Sequence, residues 1–522
     1  MASKIILTYF AITVIQSTVT VCGHLQPMDS GKCNLRSLSF EHKVCVCNSL
    51  YCDTIPSVDP LPLGKYVVVT TTREGLRFDK QIFDSMNSSK TATFKINTTL
   101  RRQQIIGFGG AFTDAAGINI ASLPADVQNK LIASYYSKNG IEYTIGRVPI
   151  ASCDFSTHPY SYDDFSEDLN LSKFALAPED FKYKIPFIQL ANNMTPDPIR
   201  WFASPWSAPA WMKTNNDMTG KGSLRGQPGG QYYKAWANYY VKFLKSYQQH
   251  NISFWGLTTQ NEPMDGFMNN FTFQAMGFTP ETQRDFVKFD LGPSLKEAGF
   301  GNISLMMLDD QRLFILKWSQ VILSDPEASK FISGIAVHWY NDGFIPSNVL
   351  TMTHNNFPDK FIFASEACEG SMPWQKHVDL GSWDRAASYT KDIIRDLNNW
   401  VTGWTDWNIA LSMTGGPNWV KNFVDSPIIV NTDQKEFYKQ PMFYAMGHFS
   451  KFVRPGSIWI DVEASQDIPD LQVVAFSRHD GSIVVIVHNL GISPVDITLV
   501  DGKSYFPISS PGYSIQTIMW WQ

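Results

Sequence analysis

What this chain lacks narrows its chemistry first. No run reaches 18 apolar residues, and the one near the start, Ile5 to Val14, is too short to span a bilayer. No HExxH, P-loop or GxSxG pattern occurs, and Gly107-Phe-Gly-Gly-Ala-Phe112 breaks the dinucleotide spacing at its last position. No histidines and acids are spaced to hold a metal, so the expectation is no metal and no cofactor. The net charge is only −5, and no basic run offers a nucleic acid its counter-charge. Nor is there a long disordered stretch, since 44% apolar and 17% charged residues form a globular balance.

Cysteine is scarce, and its placement is informative. One of the seven, Cys22, falls in a leader-like start, Met1-Ala-Ser-Lys4 followed by the short apolar run and small residues. That pattern reads as a signal peptide over 1–23, with cleavage near Gly23-His24. Four more crowd together as Cys33, Cys45, Cys47 and Cys52, the mark of two disulfides in an oxidising compartment. Three pairings are open; Cys33–Cys45 with Cys47–Cys52 closes the shortest loops without crossing. Cys153 and Cys368 stand alone and are expected as buried thiols. Seven Asn-x-Ser/Thr sequons, at Asn87, Asn97, Asn170, Asn193, Asn251, Asn270 and Asn302, agree with secretory entry.

Both ends of the chain read as β-structure. Lys65–Thr71 and Ala92–Asn97 are β-branched, and Asp480-Gly481 joins two apolar runs as a hairpin turn would. The simplest arrangement pairs the two ends in one β-sandwich with a large domain inserted between them. Within that insert, eight strand candidates alternate with helical stretches such as Tyr232–Gln249 and Trp383–Asn398. They begin near Gln104, Tyr143, Trp201, Phe254, Ser304, Ile335, Phe361 and Gly403. Eight βα units predict a (β/α)₈ barrel.

In such a barrel, chemistry sits at the carboxyl ends of the strands. Two glutamates are expected at such ends: Glu262 closing the fourth strand and Glu366 the seventh. Two convergent carboxylates are the minimum for splitting a glycosidic bond. The apolar approach to Glu262 is expected to desolvate it and raise its pKa, as an acid requires. Arg147 and Tyr340, at other strand ends, are expected to keep Glu366 ionised as a nucleophile. Asp309-Asp310 is the competing acidic pair. Strict strand alternation would turn the two to opposite faces, which ranks them as structural. Each single motif is weak, because a polar residue at a strand end is more often hydrogen-bonded scaffold than catalyst. Aromatic residues make up 14% of the chain, with 16 Trp; most serve core packing, although sugars also present C–H faces to such rings.

Longer motifs carry a resemblance. Phe108-Gly-Gly-Ala-Phe-Thr-Asp, Arg147-Val-Pro-Ile-Ala-Ser-Cys-Asp-Phe, Ala203-Ser-Pro-Trp, Asn261-Glu-Pro, Ala336-Val-His-Trp-Tyr, Phe363-Ala-Ser-Glu-Ala-Cys, Gly403-Trp-Thr-Asp-Trp-Asn and Gly415-Gly-Pro-Asn-Trp are similar to glycoside hydrolase family 30, in its lysosomal glucosylceramide-cleaving branch. The resemblance spans nearly the whole mature chain. It implies a retaining exo-glucosidase acting without metal, with Glu262 as acid/base and Glu366 as nucleophile. Asp154, Phe155, Trp206, Asn261, Phe273, Tyr340, Trp407 and Asn422 would bind the sugar, supported by Arg147 and His338. It also implies three units around the leader. These are a small cystine-bridged sheet (24–56 plus 409–440), an immunoglobulin-like β-sandwich (57–102 plus 457–522) and the barrel (103–408 plus 441–456). Implied partners are glucosylceramide in membranes, anionic lipid, a saposin-type activator protein and a lysosomal trafficking receptor. The implied destination is the lysosome lumen, with secretion as the alternative. Phe271 departs from the family, which carries a tyrosine at the substrate entrance.

Two other readings compete with this one. A secreted β-glycanase or xylosidase could use the same scaffold. A catalytically inactive sugar-binding or trafficking protein could keep the pocket, but losing either glutamate would be its cheapest sign, and both are present.

Overall fold

Eight short strands set the frame. They are β1 (Gly107–Ala111), β2 (Ile145–Ile150), β3 (Arg200–Pro205), β4 (Phe254–Thr258), β5 (Ser304–Gln311), β6 (Gly334–His338), β7 (Phe361–Glu366) and β8 (Val401–Asn408). In this computed structural model, which describes residues 31–502 and 504–522, they close into one barrel. The leader reading, with Cys22, lies outside the described residues. Each strand pairs in parallel with its neighbours, and β8 returns to β1 through Gly403 opposite Gly107. Glycine is needed where strands approach closely. A Cβ on Gly109 would lie 2.0 Å from the Ile145 carbonyl oxygen, and one on Gly403 2.2 Å from that of Gly107.

The helices pack outside because their apolar residues recur at helical spacing. Helix Gln231–Gln248 buries Tyr233, Trp236, Tyr240, Phe243, Leu244 and Tyr247, one stripe along its length. Helix Trp383–Leu397 does the same between β7 and β8. Inside the barrel, Ile145, Phe202, Met306, Ala336 and Phe363 form a separate apolar cluster. The barrel is therefore plugged, and a ligand must be met above this layer.

Two sheets flank the barrel. A five-stranded sheet joins Leu35–Ser37 and Lys43–Cys47 to Glu436–Lys439, Ile428–Asn431 and Leu411–Ser412, in that order. Disulfides Cys33–Cys45 and Cys47–Cys52 clip its first turns, the pairing expected from loop length. Cys153 and Cys368 are buried free thiols, also as expected. A nine-stranded sheet combines Lys65–Thr72, Asp79–Asp84 and Ala92–Gln104 with six strands from 458–521. It folds over on its own apolar face: Tyr66 on one wing meets Phe506 on the other at 5.4 Å.

Gly109→Ala is expected to destabilise the barrel by the upper end of about 1–3 kcal/mol, because the added methyl has backbone, not a movable side chain, in its way. Urea unfolding of the two proteins measures the difference.

Candidate active site

Two residues beyond each side chain of the apolar plug lies a polar one. Strand alternation lifts Ile145 to Arg147, Phe202 to Ser204, Ala336 to His338 and Phe363 to Ser365. β5 breaks the rule. Its pairing with β6 slips between Leu308 and Asp310, and Leu308 and Asp309 have φ of 71° and 57°. This bulge sends Leu308 to the outer core and turns Asp309 into the barrel. The alternation expected for Asp309 and Asp310 therefore fails in its premise. Asp309 lies under the site, and Asp310 accepts Met264 N–H at 3.1 Å and Gln311 N–H at 2.7 Å beside it.

Arg147, fully buried, is the centre of this layer. Its Nη1 donates to Glu366 Oε2, while Nη2 donates to Asp309 Oδ2 at 3.0 Å and to Asn261 Oδ1 at 2.8 Å. Asp309 also accepts from Ser204, Thr258 and Ser365. Burial alone would push its carboxyl up, but Arg147, His338 and these hydroxyls hold it well below the usual carboxylate range. On its other side Asp309 Oδ1 takes His338 Nε2–H at 3.0 Å, and His338 Nδ1–H reaches Glu262 Oε1 at 3.1 Å. Burial opposes a charge on His338, yet Glu366, Asp309 and Glu262 together hold its pKa well above the ordinary value. The ring is an imidazolium with both N–H groups engaged.

Glu366 is the last residue of β7, as expected, and Tyr340 O–H donates to its Oε1 at 2.7 Å. Glu262 sits four residues past β4, in a turn rather than on the strand, with a left-handed φ of 40°. Its N–H donates to the Asp309 carbonyl at 2.9 Å, which fixes this strained turn to the bulge. Carboxylate oxygens of Glu262 and Glu366 lie within 4.8 Å of each other and of His338. The expected rise in the Glu262 pKa is corrected by its neighbours. Burial does push it up, but His338 and a hydrogen bond with the Asp265 carboxyl outweigh burial and leave it lowered. Asp265 takes the opposite shift: burial, Glu262 and Asp310 raise it far above a normal aspartate.

The two glutamates open on a cavity of about 190 Å³. Asp154, Phe155, Trp206, Phe273, Tyr340, Trp407 and Asn422, all expected at the site, line it together. Trp206 and Trp407 stack at 5.2 Å, and Phe155 meets Trp407 edge-on at 6.0 Å. Asn422 Nδ2 and Asn418 Nδ2 donate to Asp154 Oδ2 at 3.1 and 3.0 Å. Burial, with Glu366 adding to it, still pushes Asp154 up to about 7 against those two bonds. Asn261, also expected at the site, accepts Arg147 Nη2–H on its Oδ1 just below the wall. The sequence reading missed Cys368, Ser371, Met372 and Val424 on the wall, Asn418 behind Asp154, and Asp265 and Gln311 beside Glu262. Asn418 lay within a quoted motif; Asp265 gave no signal, because only a tight turn brings it back.

Two acid clusters could be suspected of holding an ion. In Glu262–His338–Glu366 the histidine is charged and has no free nitrogen. In Asp342–Asp392–Asp396 the Arg312 guanidinium already fills the centre. Neither set is an open ligand cage. Of the seven sequon asparagines, Asn97 is half-buried; Asn87, Asn170, Asn193, Asn251, Asn270 and Asn302 are exposed.

Arg147→Met leaves Asp309 and Glu366 without their counter-charge, and a loss of about 3–5 kcal/mol at neutral pH is expected. Asp309 is depressed in the wild type, so its contribution is present above the ordinary aspartate pKa and fades as pH falls through the lower folded value. In the variant the stranded Asp309 carboxyl gains from protonation, so the stability gap should narrow from pH 7 to pH 4.5. Thermal unfolding at both pH values checks this.

Residues 105–453 match the glycosyl hydrolase family 30 TIM-barrel domain, and 456–518 match the family's beta sandwich domain. Lysosomal acid glucosylceramidase of Mus musculus is 48% identical over 94% of this chain and 95% of its own. An endo-1,6-beta-D-glucanase of Neurospora crassa is 26% identical over 83% of this chain and 88% of its own. Among solved structures, SrfJ from Salmonella typhimurium superposes with a TM-score of 0.80 at 28% identity, covering 88% of this chain and 100% of that one. With both halves of the family's architecture matched in order along it, the chain belongs to glycosyl hydrolase family 30.

Proposed function

We propose that this chain is a retaining β-glucosidase that cleaves glucosylceramide to glucose and ceramide. One observation carries the reading: the Glu262 and Glu366 carboxylates face each other within 4.8 Å over the cavity. Double displacement needs about 5–5.5 Å between the two carboxyl groups, whereas inversion needs about 6.5–9.5 Å to admit a water. Glu366, hydrogen-bonded by Arg147 and Tyr340, is the nucleophile. It attacks the anomeric carbon as Glu262 gives its proton to the glycosidic oxygen, and ceramide leaves as the neutral alcohol. Glu262 then takes a proton from water, whose oxygen displaces Glu366. Two inversions return glucose in its original configuration.

Specificity follows from the same cavity. About 190 Å³ closed by stacked tryptophans suits one sugar ring rather than a chain-long groove, which supports the exo-acting reading over the glucanase activity in the Neurospora relative's name. Asp154, oriented by Asn418 and Asn422, is placed to hold sugar hydroxyls. On loops after β4 to β7, Met268, Leu313, Phe344 and Trp374 are exposed, the last two by 74% each. Such an apolar rim suits a substrate drawn from a lipid surface. The mouse relative's name supports a lysosomal destination. Anionic lipid, a saposin-type activator and a trafficking receptor belong to the same reading.

Glu366→Gln is expected to abolish hydrolysis of glucosylceramide in vesicles, a loss of at least about 10³-fold. Glu366→Gly with azide should release the inverted glucosyl azide. Near-normal turnover by Glu366→Gln would end the assignment.

A further inference from the structure

One carboxyl beside the site is unused by the reaction as written. Asp265 opens the short turn Asp265–Phe267, three residues after Glu262, and its N–H donates to the Glu262 carbonyl at 3.0 Å. The turn is tied down beside it, where Met264 N–H meets Asp310 Oδ2 at 3.1 Å. This folding brings the Asp265 side chain back into hydrogen-bonding contact with the Glu262 carboxyl. Glu262 Oε1 is already taken by Gln311 Nε2–H at 3.0 Å and His338 Nδ1–H at 3.1 Å. Two carboxyls in contact cannot both be ionised without a large repulsion, so the pair holds one proton between them.

We infer that Asp265 is a positioning residue for the acid step, sharing one proton with Glu262 and passing it to that carboxyl as the glycosidic oxygen draws on it. The inference rests on Glu262 being the acid/base.

Every charged group around the pair favours this division. His338, an imidazolium, touches Glu262 and stabilises its ionised form, as does Arg147 at longer range. Asp265 faces Glu262, Asp310 and, more weakly, His338; burial and the two carboxyls keep its proton on. Asp310 is itself raised to about 7 by burial and by Glu262, and once ionised it adds to the hold on the Asp265 proton. Across the cavity, Glu366 lies near His338, whose Nδ1 is 3.8 Å from its Oε1. The resting pair is thus Asp265–COOH against Glu262–COO⁻, with a net charge of −1. In the first half-reaction the proton moves from Asp265 to Glu262 and on to the departing alcohol. Both are then ionised, a repulsion offset by the charge that Glu366 loses on forming its ester and relieved when Glu262 takes the next proton. In the second, Glu262 takes a proton from the attacking water, and the pair returns to one proton. No other reactant is needed.

The pair titrates as a unit, so the basic limb of kcat/KM reports the loss of its shared proton, not of one from Glu262 alone. Asp265→Asn removes the sharing, and Glu262 must then hold its proton against His338. The basic limb should move toward acid by at least about one pH unit, while the acidic limb stays in place. Asp265→Glu should restore most of the wild-type position. If the Asp265→Asn profile superimposes on the wild type after scaling, whatever the uniform loss of rate, the inference is overturned. Should Asp265→Asn not fold, Asp265→Ser is read by the same criterion. Glu262→Ala separates the two layers of the claim. Slow cleavage of an alkyl glucoside, fast cleavage of a dinitrophenyl glucoside and azide rescue are expected if Glu262 is the acid. Their absence would strike that assignment itself, and the inference with it. Their presence with an unmoved limb in Asp265→Asn would strike Asp265 alone.

Discussion

A guanidinium with no access to water is the constraint on which the site depends. Arg147 is fully buried inside the barrel, and a buried cation persists only where anions and acceptors surround it. Asp309 and Glu366 supply the charge, while Ser204 and Asn261 complete the donors' partners. These side chains come from β2, β3, the turn after β4, β5 and β7, so one ion clamps five parts of the ring. Asp309 then extends the clamp to His338 on β6, and His338 extends it to Glu262. Both facing glutamates therefore hang from one electrostatic frame. Rigidity of that kind matters because a displacement of about 1 Å at a reacting group can cost about 10²-fold in rate.

The same frame explains why the two carboxyls differ in character. Glu366 receives a full cation on one oxygen and a phenol O–H on the other. Glu262 receives an imidazolium and an amide on one oxygen and a carboxyl beside it. Burial, the expected source of its protonation, is present but outweighed. A nearby proton-bearing aspartate supplies what a lone buried glutamate would otherwise need, and the strained turn at φ 40° is what puts the two together.

Much of the fold was readable from pattern. The eight strand candidates, helices 232–249 and 383–398 and the cystine pairing correspond to observed elements within a few residues, because period-2 and period-3.6 apolar spacing is local information. Within the site, Arg147, Tyr340, Glu262 and Glu366 meet as their strand-end positions suggested. Three features were not readable. The β5 bulge inverts the facing of Leu308 and Asp309, and alternation alone gives no hint of a two-for-one pairing. The partner of the Asn261 Oδ1 is Arg147, 114 positions away. Asp265 lay in an unremarkable Met-Asp-Gly-Phe run.

The sequence by itself determined which residues form strands and helices and which carboxylates would end on the barrel's rim, since each depends on neighbours a few positions apart. The tertiary structure alone decided protonation: who carries the proton depends on charges that β5, β6 and the turn after β4 bring within about 3 Å, where Coulomb interaction in a dry interior outweighs intrinsic acidity.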